Sequence, residues 1–242
     1  DITERKLHDQ RANEFASIIS HQLNTPLSIT SMYLAALLRG DFGEFNAKQL
    51  DTLEKIDEMN KDLMRLVKDI LSMTRLEERR VKLELIPTDM VEFIEDIILS
   101  VSAYAQEKKC SIHFHKPERM AEVPLDQNLM RQVLDNFIIN AINYSPEGGD
   151  SIEVTLKQRG EFCEISVTDR GIGIPKEAQG QIFEKCFRAD NARKHSVAGS
   201  GLGLYIAKAV AEMAGGRVWF ESPTFEDRGT TFYIELPLAK SS

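Results

Sequence analysis

The fold is decided by a glycine-rich stretch in the second half of the chain, Asp169-Arg170-Gly171-Ile172-Gly173-Ile174-Pro175. Just before it, Ile165 and Val167 alternate with polar residues, which predicts a β-strand that ends near the aspartate. The two glycines let the backbone approach a ligand closely, and the Asp169 carboxylate can accept a hydrogen bond from an exocyclic amine. The alternative interpretation is a simple turn.

A second glycine stretch follows and reads Gly199-Ser200-Gly201-Leu202-Gly203-Leu204. It opens a helical pattern over about residues 202–214, where free backbone N–H groups and the positive end of the helix favour a phosphate. The spacing is neither a Walker A sequence nor a Rossmann fingerprint, and no predicted strand immediately precedes it. The common glycine-loop interpretations are therefore excluded.

Two carboxamides, Asn136 and Asn140, precede both stretches in a helical pattern over about residues 126–144. Their four-residue spacing places them on one face of the helix. Mg²⁺ takes few protein oxygens besides phosphates and water, and one asparagine carbonyl suits that role. Taken alone, such a pair is usually only a solvated edge.

The pattern around these motifs predicts an α+β domain over residues 89–242. Apolar residues alternate with polar ones near 152–156, 165–167 and 232–236, and the first two runs form a hairpin. Helical patterns fall at about 88–107, 126–144 and 202–214. Helices on one face of a mixed sheet, an α/β sandwich, fit this order.

The first part of the chain predicts a helical hairpin over residues 1–80, joined to the second domain by a linker at 81–88. One long helix covers about residues 2–38, and a second carries a heptad-like run of apolar residues: Ile56, Met59, Leu63, Leu66, Val67, Ile70 and Met73. Two helices cannot enclose so wide a stripe, whereas two hairpins packed as a four-helix bundle can. We therefore expect a homodimer; the alternative is that this face packs on the chain's own second domain.

The first predicted helix contains the motif Ser20-His21-Gln22-Leu23-Asn24-Thr25-Pro26-Leu27. Neutral imidazole is nucleophilic at physiological pH, so His21 can accept a phosphoryl group. Pro26 lacks an N–H and crowds the carbonyl four residues earlier, which predicts a kink near Gln22 that exposes the histidine. A lone histidine on an amphipathic helix is more often a plain surface residue, so the neighbouring sequence decides.

This motif resembles the H-box of bacterial sensor histidine kinases, Ser-His-(Glu or Asp)-Leu-(Arg or Lys)-(Thr or Asn)-Pro-Leu. The resemblance implies that His21 is phosphorylated and that Thr25 helps to orient water when a partner's phosphoaspartate is hydrolysed. Gln22 stands where the family usually has an acid that acts as general base, and Asn24 replaces a basic residue. An amide cannot take a proton, and general-base help is worth about 10²- to 10⁴-fold, so we expect slow autophosphorylation.

The second-half motifs resemble, in their order, the N, G1, F and G2 boxes of the ATP-binding fold shared by gyrase, heat-shock chaperones, MutL and histidine kinases. The resemblance implies that Asn140 binds Mg²⁺, Asn136 contacts phosphates and Asp169 reads the adenine amino group. Arg188 is expected to approach the γ-phosphate. The other residues that the resemblance assigns to the pocket and its lid are Tyr144, Gly171, Gly173, Phe183, Phe187, Gly199, Gly201, Leu202, Gly203 and Thr230.

The polar segment 189–198 has no helical or strand pattern and is expected to be an unstructured, mobile lid. The alternative interpretation of the neighbouring Phe183, Phe187 and Arg188 is that they have only structural roles, as a core aromatic pair and a surface arginine. Asn143 departs from the resemblance, because many relatives carry a phosphate-contacting lysine at that position. We therefore expect a lower nucleotide affinity.

Composition limits the partners and the location. With 30 Lys and Arg against 38 Asp and Glu, the net charge of −8 disfavours a nucleic-acid binder. Three cysteines without C-x-x-C spacing favour a reducing, cytoplasmic location over a disulfide framework or a zinc site. No apolar run spans a membrane, so any membrane contact is expected through other parts of the parent protein. The opening residues 1–6 resemble the segment that follows a PAS sensor domain in this family.

Together the resemblances imply that ATP and Mg²⁺ drive phosphorylation of His21 within a homodimer, followed by transfer to an aspartate of a response-regulator receiver domain. A gyrase-like ATPase ranks lower, because hydrolytic members of the fold place a glutamate base where Asn136 stands. A phosphatase-biased sensor or a weakly active dimeric scaffold is the other alternative, and it is suggested by Gln22.

Overall fold

The computed structural model describes residues 22–77, 83–146, 151–194, 199–225 and 228–239. Packing divides the chain into two units, one comprising Asp1–Val81 with Ala198–Ser200 and the other Lys82–Val197 with Gly201–Ser242. His21, the opening segment that resembles a PAS junction, and most of the first half of the first predicted helix lie outside the described residues.

The first unit contains a helical hairpin, as predicted. Its helices are α1, described over residues 22–38, and α2, Ala47–Glu77. Gly40 and Gly43 have φ values of 83° and 112° between the helices, a backbone conformation that glycine adopts without strain. Asn46 begins α2 with a reciprocal cap: its side chain accepts from the Gln49 N–H at 3.0 Å, and the Gln49 side chain accepts from the Asn46 N–H at 2.9 Å.

Helix α2 carries two stripes of side chains that differ in burial. The seam stripe is buried or half-buried, and its members recur at alternating steps of four and three residues: Leu53, Asp57, Asn60, Met64, Val67 and Leu71. It contacts α1, because Asn60 Nδ2 donates to the Leu27 carbonyl at 3.2 Å and to Ser31 Oγ at 2.7 Å. The outer stripe is between 37% and 72% exposed in this chain: Ile56, Met59, Leu63, Leu66 and Ile70.

The second unit is an α/β sandwich with a mixed sheet, as predicted. Its strands are β1 Ile86–Thr88, β2 Ser111–His115, β3 Val123–Leu125, β4 Ser151–Arg159, β5 Phe162–Asp169, β6 Arg217–Glu221 and β7 Thr230–Pro237. Its helices are α3 Met90–Glu107, α4 Gln127–Tyr144, α5 Lys176–Gln179, α6 Asp190–Lys194 and α7 Gly203–Met213. The five-stranded sheet has the order β2-β4-β5-β7-β6, and β2 and β4 form its parallel pair.

Helices α3, α4 and α7 pack on this sheet and on one another, and the core lies between them. The alternating apolar residues of the strands face the core: Ile152, Val154 and Leu156 on β4, Ile165 and Val167 on β5, and Phe232, Ile234 and Leu236 on β7. Residues 86–88, which the sequence assigned to a linker, form β1, because they pair antiparallel with β3. A three-residue strand is too short for a visible alternation of polarity.

The two edge strands of the sheet carry two histidines and the single tryptophan of the chain. His113 and His115 are exposed on the edge strand β2, and the described residues contain no group of histidine, cysteine and acidic side chains able to hold a metal ion. Trp219 lies on the edge strand β6 and stacks on Tyr233, with ring centroids 4.9 Å apart. No described helix is both long and apolar enough to cross a membrane.

Candidate functional site

Asp169 ends β5 as a buried carboxylate, with only 5% of the residue exposed. Its Oδ1 accepts hydrogen bonds from the backbone N–H of Gly171 at 2.8 Å and of Thr230 at 3.2 Å. Burial raises the pKa of Asp169 from 3.8 to about 6, although the two backbone N–H groups act in the opposite direction. The sequence-predicted Asp169, Gly171 and Thr230 therefore lie together.

The glycine turn after β5 is joined closely to the end of α4. The Ile172 N–H donates to the Tyr144 carbonyl at 3.2 Å. A Cβ atom at Gly171 would collide with that same carbonyl, so this position requires glycine. Gly173 has a φ of 65°, and a Cβ there would lie 3.3 Å from Ser222 Oγ. Tyr144 and both glycines of the motif thus share one corner of the unit.

Asn136 on α4 lies against the first residue of α7. A Cβ atom at Gly203 would collide with the Asn136 carboxamide, so the side chain lies beside the N-terminus of this 11-residue helix. Among the described residues, Asn136 Nδ2 is buried and has no hydrogen-bond partner. Such a donor costs about 1–3 kcal/mol unless a ligand accepts from it. Leu202, directly before the helix, is 2% exposed.

Asn140 lies one turn after Asn136 on the same face of α4. Its Nδ2 donates to Asn136 Oδ1 at 3.4 Å, which orients both carboxamides. The bond leaves Asn140 Oδ1 as an acceptor and Asn136 Nδ2 as a donor. The pair can therefore hold a cation at Asn140 and an anionic oxygen at Asn136.

The aromatic segment before the polar stretch packs against the second glycine motif. The ring centroids of Phe183 and Phe220 are 6.0 Å apart. A Cβ atom at Gly201 would lie 2.8 Å from the Phe187 carbonyl oxygen. Gly201 has a φ of 69°, so a side chain there would also be strained. Arg188 Nη2 donates to the Ala192 carbonyl at 3.2 Å. Gly199 is exposed.

The expectation that residues 189–198 are unstructured is wrong for the part that is described, because α6 covers Asp190–Lys194. Asp190 in its first turn and Arg193 and Lys194 in its last turn complement the helix dipole. Asn191 Nδ2 donates to the Gly173 carbonyl at 2.9 Å and ties this helix to the glycine turn. Residues 195–198 lie outside the described part.

Three residues at the site were missed by sequence reasoning. Ser222 Oγ accepts from the Ile174 N–H at 2.8 Å, Asn191 binds the glycine turn, and the Tyr104 hydroxyl donates to Asn143 Oδ1 at 2.5 Å. None of the three gave a sequence signal of its own; Asn143, the partner of Tyr104, was noted only because many relatives carry a lysine at that position. In the first unit, Gln22 and Thr25 are exposed on α1.

Two family models match the chain in sequence order. The His Kinase A (phospho-acceptor) domain matches residues 11–79. The histidine kinase-, DNA gyrase B- and HSP90-like ATPase domain matches residues 125–240. The residues that the second model matches include Asn136, Asp169 and Gly203, around which the site is built.

Three similar proteins match between 63% and 98% of this chain. The sensor histidine kinase WalK of Bacillus subtilis is 33% identical over 240 residues, which are 98% of this chain and 38% of that protein. The crystal structure of full-length ShkA in complex with AMPPNP is 26% identical and has a TM-score of 0.72; the match covers 95% of this chain and 46% of that one. The mycobacterial sensor histidine kinase MprB is 32% identical with a TM-score of 0.54, covering 63% of this chain and 98% of that one.

The chain spans between 38% and 56% of the length of the curated WalK relatives that it matches. Within that span, three observations indicate the same family: the order of the motifs, the order of the two domain matches, and the α/β sandwich with its mixed sheet. The chain therefore belongs to the sensor histidine kinases, with a phosphoacceptor hairpin of the His Kinase A type followed by an ATP-binding domain of the gyrase and HSP90 type.

Proposed function

We propose that this chain is the catalytic core of a two-component sensor kinase, which transfers the γ-phosphoryl group of ATP to His21 and then to an aspartate of a response-regulator receiver domain. The observation that carries the proposal is the buried Asn136 Nδ2, which lacks a partner among the described residues and lies against the N-terminus of α7. A helix N-terminus beside a free amide donor favours phosphate oxygens. The chain's two family domains supply a phosphoacceptor and a donor site together.

The nucleotide is recognised at both of its ends. The Asp169 carboxylate accepts a hydrogen bond from the adenine amino group, and its burial excludes competing water. Asn136 donates to phosphate oxygens, and Arg188 neutralises charge on the γ-phosphate. In this proposal the pocket is also lined by Thr230, whose N–H donates to Asp169, and by Tyr144, whose carbonyl accepts from Ile172 in the turn after Asp169.

Asn140 is the residue that holds Mg²⁺ in this proposal. Its Oδ1 is left as an acceptor because its Nδ2 donates to Asn136, and a neutral carbonyl with phosphate and water oxygens suits this ion. Bound there, the ion supplies neutralisation of the charge that develops on the phosphates during transfer. Asn140→Ala is expected to raise the Mg²⁺ concentration needed for half-maximal labelling while leaving adenosine binding unchanged.

The residue after the phosphoacceptor determines how fast the first step runs. Gln22 has no basic atom, so the proton of His21 leaves to solvent, to a phosphate oxygen or to another side chain, and autophosphorylation is slow. Thr25 orients water when the receiver phosphoaspartate is hydrolysed. A phosphatase-biased sensor is therefore the second candidate function, favoured by Gln22. A gyrase-like ATPase is disfavoured, because Asn136 occupies the position of the general base and cannot accept a proton.

The hairpin pairs with a second copy of itself. The outer stripe of α2 leaves five large apolar side chains exposed, and an identical stripe on another chain covers them in a four-helix bundle. The seam stripe is already used within the hairpin, so the two stripes serve different contacts. We place the core in the cytoplasm, where ATP and receiver domains are found, with a PAS sensor before it and any membrane anchor elsewhere in the parent protein.

The deciding experiment mixes labelled ATP and Mg²⁺ with the full chain and two histidine variants. The wild type is expected to take up acid-labile, base-stable label, His21→Ala is expected to take up none, and His113→Ala, on an exposed strand, serves as the matched control that retains it. Label on His21→Ala, or no label on the wild type, would overturn the proposal. Transfer of the label from the wild type to a purified receiver domain tests the second step.

A further inference from the structure

Helix α4 carries a third carboxamide in line with the two already described. Asn143 follows Asn140 by three residues and Asn136 by seven, so all three share one face of the helix. All three are half-buried. This row, Asn136, Asn140 and Asn143, contains no charged side chain.

A tyrosine from the neighbouring helix α3 fixes the orientation of the third member. The Tyr104 hydroxyl oxygen lies 2.5 Å from Asn143 Oδ1. This separation falls in the range of O–H···O hydrogen bonds and is shorter than the commonest N–H···O distance, which is about 2.9–3.0 Å. The hydroxyl therefore donates and the carboxamide oxygen accepts, which directs Nδ2 away from the tyrosine.

The polarity of the whole row follows from two hydrogen bonds. Among the described residues, the bond between Asn140 Nδ2 and Asn136 Oδ1 leaves Asn136 Nδ2 without a partner and leaves the Asn140 carbonyl oxygen as an acceptor. The bond from Tyr104 leaves Asn143 with an N–H donor. Along α4 the row thus presents donor, acceptor and donor, a sequence that suits two anionic oxygens on either side of a cation.

We propose that Tyr104 is a positioning residue of the nucleotide site: its hydroxyl holds the Asn143 carboxamide so that Nδ2 donates to a phosphate oxygen of ATP. The inference rests on the proposed ATP-binding function. It assigns a phosphate contact to the uncharged side chain of Asn143, which Tyr104 on α3 orients. At this position the resemblance led us to expect only the loss of a lysine. A neutral donor gains little from long-range attraction, so this contact depends weakly on ionic strength.

The test compares the affinities of the full chain for ATP and for adenosine, each by competition against a fluorescent ATP analogue. The variants are Tyr104→Phe, Asn143→Ala, their combination, and Tyr233→Phe as the matched control. The Tyr233 hydroxyl also bonds a side chain, Glu221, at 3.0 Å, but this bond joins β7 to the edge strand β6. Circular dichroism of each variant shows whether it folds.

Tyr104→Phe is expected to weaken ATP binding about two- to tenfold, the effect of one hydrogen bond, and to leave adenosine binding unchanged. The double variant should bind ATP no more weakly than Asn143→Ala alone, since the hydroxyl acts only through the carboxamide. In an Asn143→Lys background, Tyr104→Phe should have no effect on ATP affinity, while that lysine makes ATP affinity fall more steeply with salt. Tyr233→Phe should match the wild type.

Two results overturn the inference. If Tyr104→Phe weakens adenosine binding as much as ATP binding, the tyrosine has only a structural role. If the effects of Tyr104→Phe and Asn143→Ala add in the double variant, the hydroxyl does not act through Asn143. If the wild type binds adenosine but not ATP, the proposed function itself is contradicted. The titrations of the wild type distinguish this outcome from the two above.

Discussion

Asp169→Asn is expected to make the second unit more stable at neutral pH while it abolishes ATP binding. The carboxylate is 5% exposed, and its burial raises its pKa to about 6, against 3.8 for an exposed aspartate. Asparagine has nearly the same shape, and its Oδ1 can still accept from the Gly171 and Thr230 N–H groups. The substitution therefore removes a buried charge without removing its hydrogen bonds to the backbone.

The sign of the effect follows from the direction of the pKa shift. The folded state binds the proton more tightly than the unfolded chain, so protonation of Asp169 stabilises the fold. This contribution is fully present below pH 3.8 and is lost as the pH rises through about 6. A difference of about two pKa units corresponds to about 3 kcal/mol. At pH 7.5 the asparagine variant should gain up to about this amount in free energy of unfolding.

Urea unfolding of the full chain at two pH values measures this gain. Trp219 is the single tryptophan and lies on β6, so its fluorescence reports on the second unit alone. The stabilisation by Asp169→Asn should shrink to about a third of its value between pH 7.5 and pH 4.5. Glu161→Gln, at an exposed acid in the turn between β4 and β5, is the matched control and should change neither value. A gain that is absent at pH 7.5, or equal at both pH values, would refute the reasoning.

Four further substitutions test other parts of the structure. Gly203→Ala should abolish ATP binding and cost about 1–3 kcal/mol of stability, because its Cβ displaces the Asn136 carboxamide; adding Asn136→Ala should restore stability in urea but not binding. Gln22→Glu should raise the initial rate of autophosphorylation about 10²- to 10⁴-fold, and an unchanged rate would contradict the role given to this position. Leu63→Asp on the outer stripe should convert dimer to monomer in light scattering, whereas a dimer that persists would favour another interface. Asn60→Ala should lower the free energy of unfolding of the hairpin by about 1–3 kcal/mol, measured by circular dichroism, because it removes two hydrogen bonds across the seam.

The sequence predicted the elements whose residues repeat over several turns or several alternations. The heptad run from Ile56 to Met73 lies within the 31 residues of α2, and the alternation in β4, β5 and β7 covers strands of eight or nine residues. Short elements gave too few residues for a period to be visible. Strand β1 has three residues, and α6 has five that are all polar or alanine, so both were assigned to irregular segments.

The heptad run also combined two stripes that the structure separates. Val67 belongs to the buried seam, whereas its neighbour Leu66 belongs to the exposed outer stripe. Adjacent helix positions differ by about 100°, so a single wide stripe in sequence contains two contact faces in space. Asn60 was absent from the predicted apolar set because it is polar, yet it is 7% exposed and bonded to α1. Only the packing of the two helices shows that a polar side chain belongs to the seam.

The site was predictable where spacing along one helix or a glycine motif carried it. It was not predictable where the contact joins segments that are far apart in sequence, as for Ser222 on the glycine turn or Tyr104 on Asn143. A serine or a tyrosine has many roles, so its type alone does not indicate a partner. The structure adds the distances between atoms of such segments, which the sequence does not contain.

The net charge of −8 disfavours a broad surface for polyanions, yet the proposed phosphate site does not conflict with it. The row on α4 consists of neutral carboxamides, and the N-terminus of α7 contributes backbone N–H groups, which the count of charged residues does not include. Neutral donors bind through short, oriented hydrogen bonds, so their strength depends on the bonds that hold them in place, from Asn140 and from Tyr104. Under the proposal for Tyr104, orientation of a neutral donor replaces the charge of the lysine that many relatives carry at this position, and one hydroxyl group determines part of the affinity for ATP.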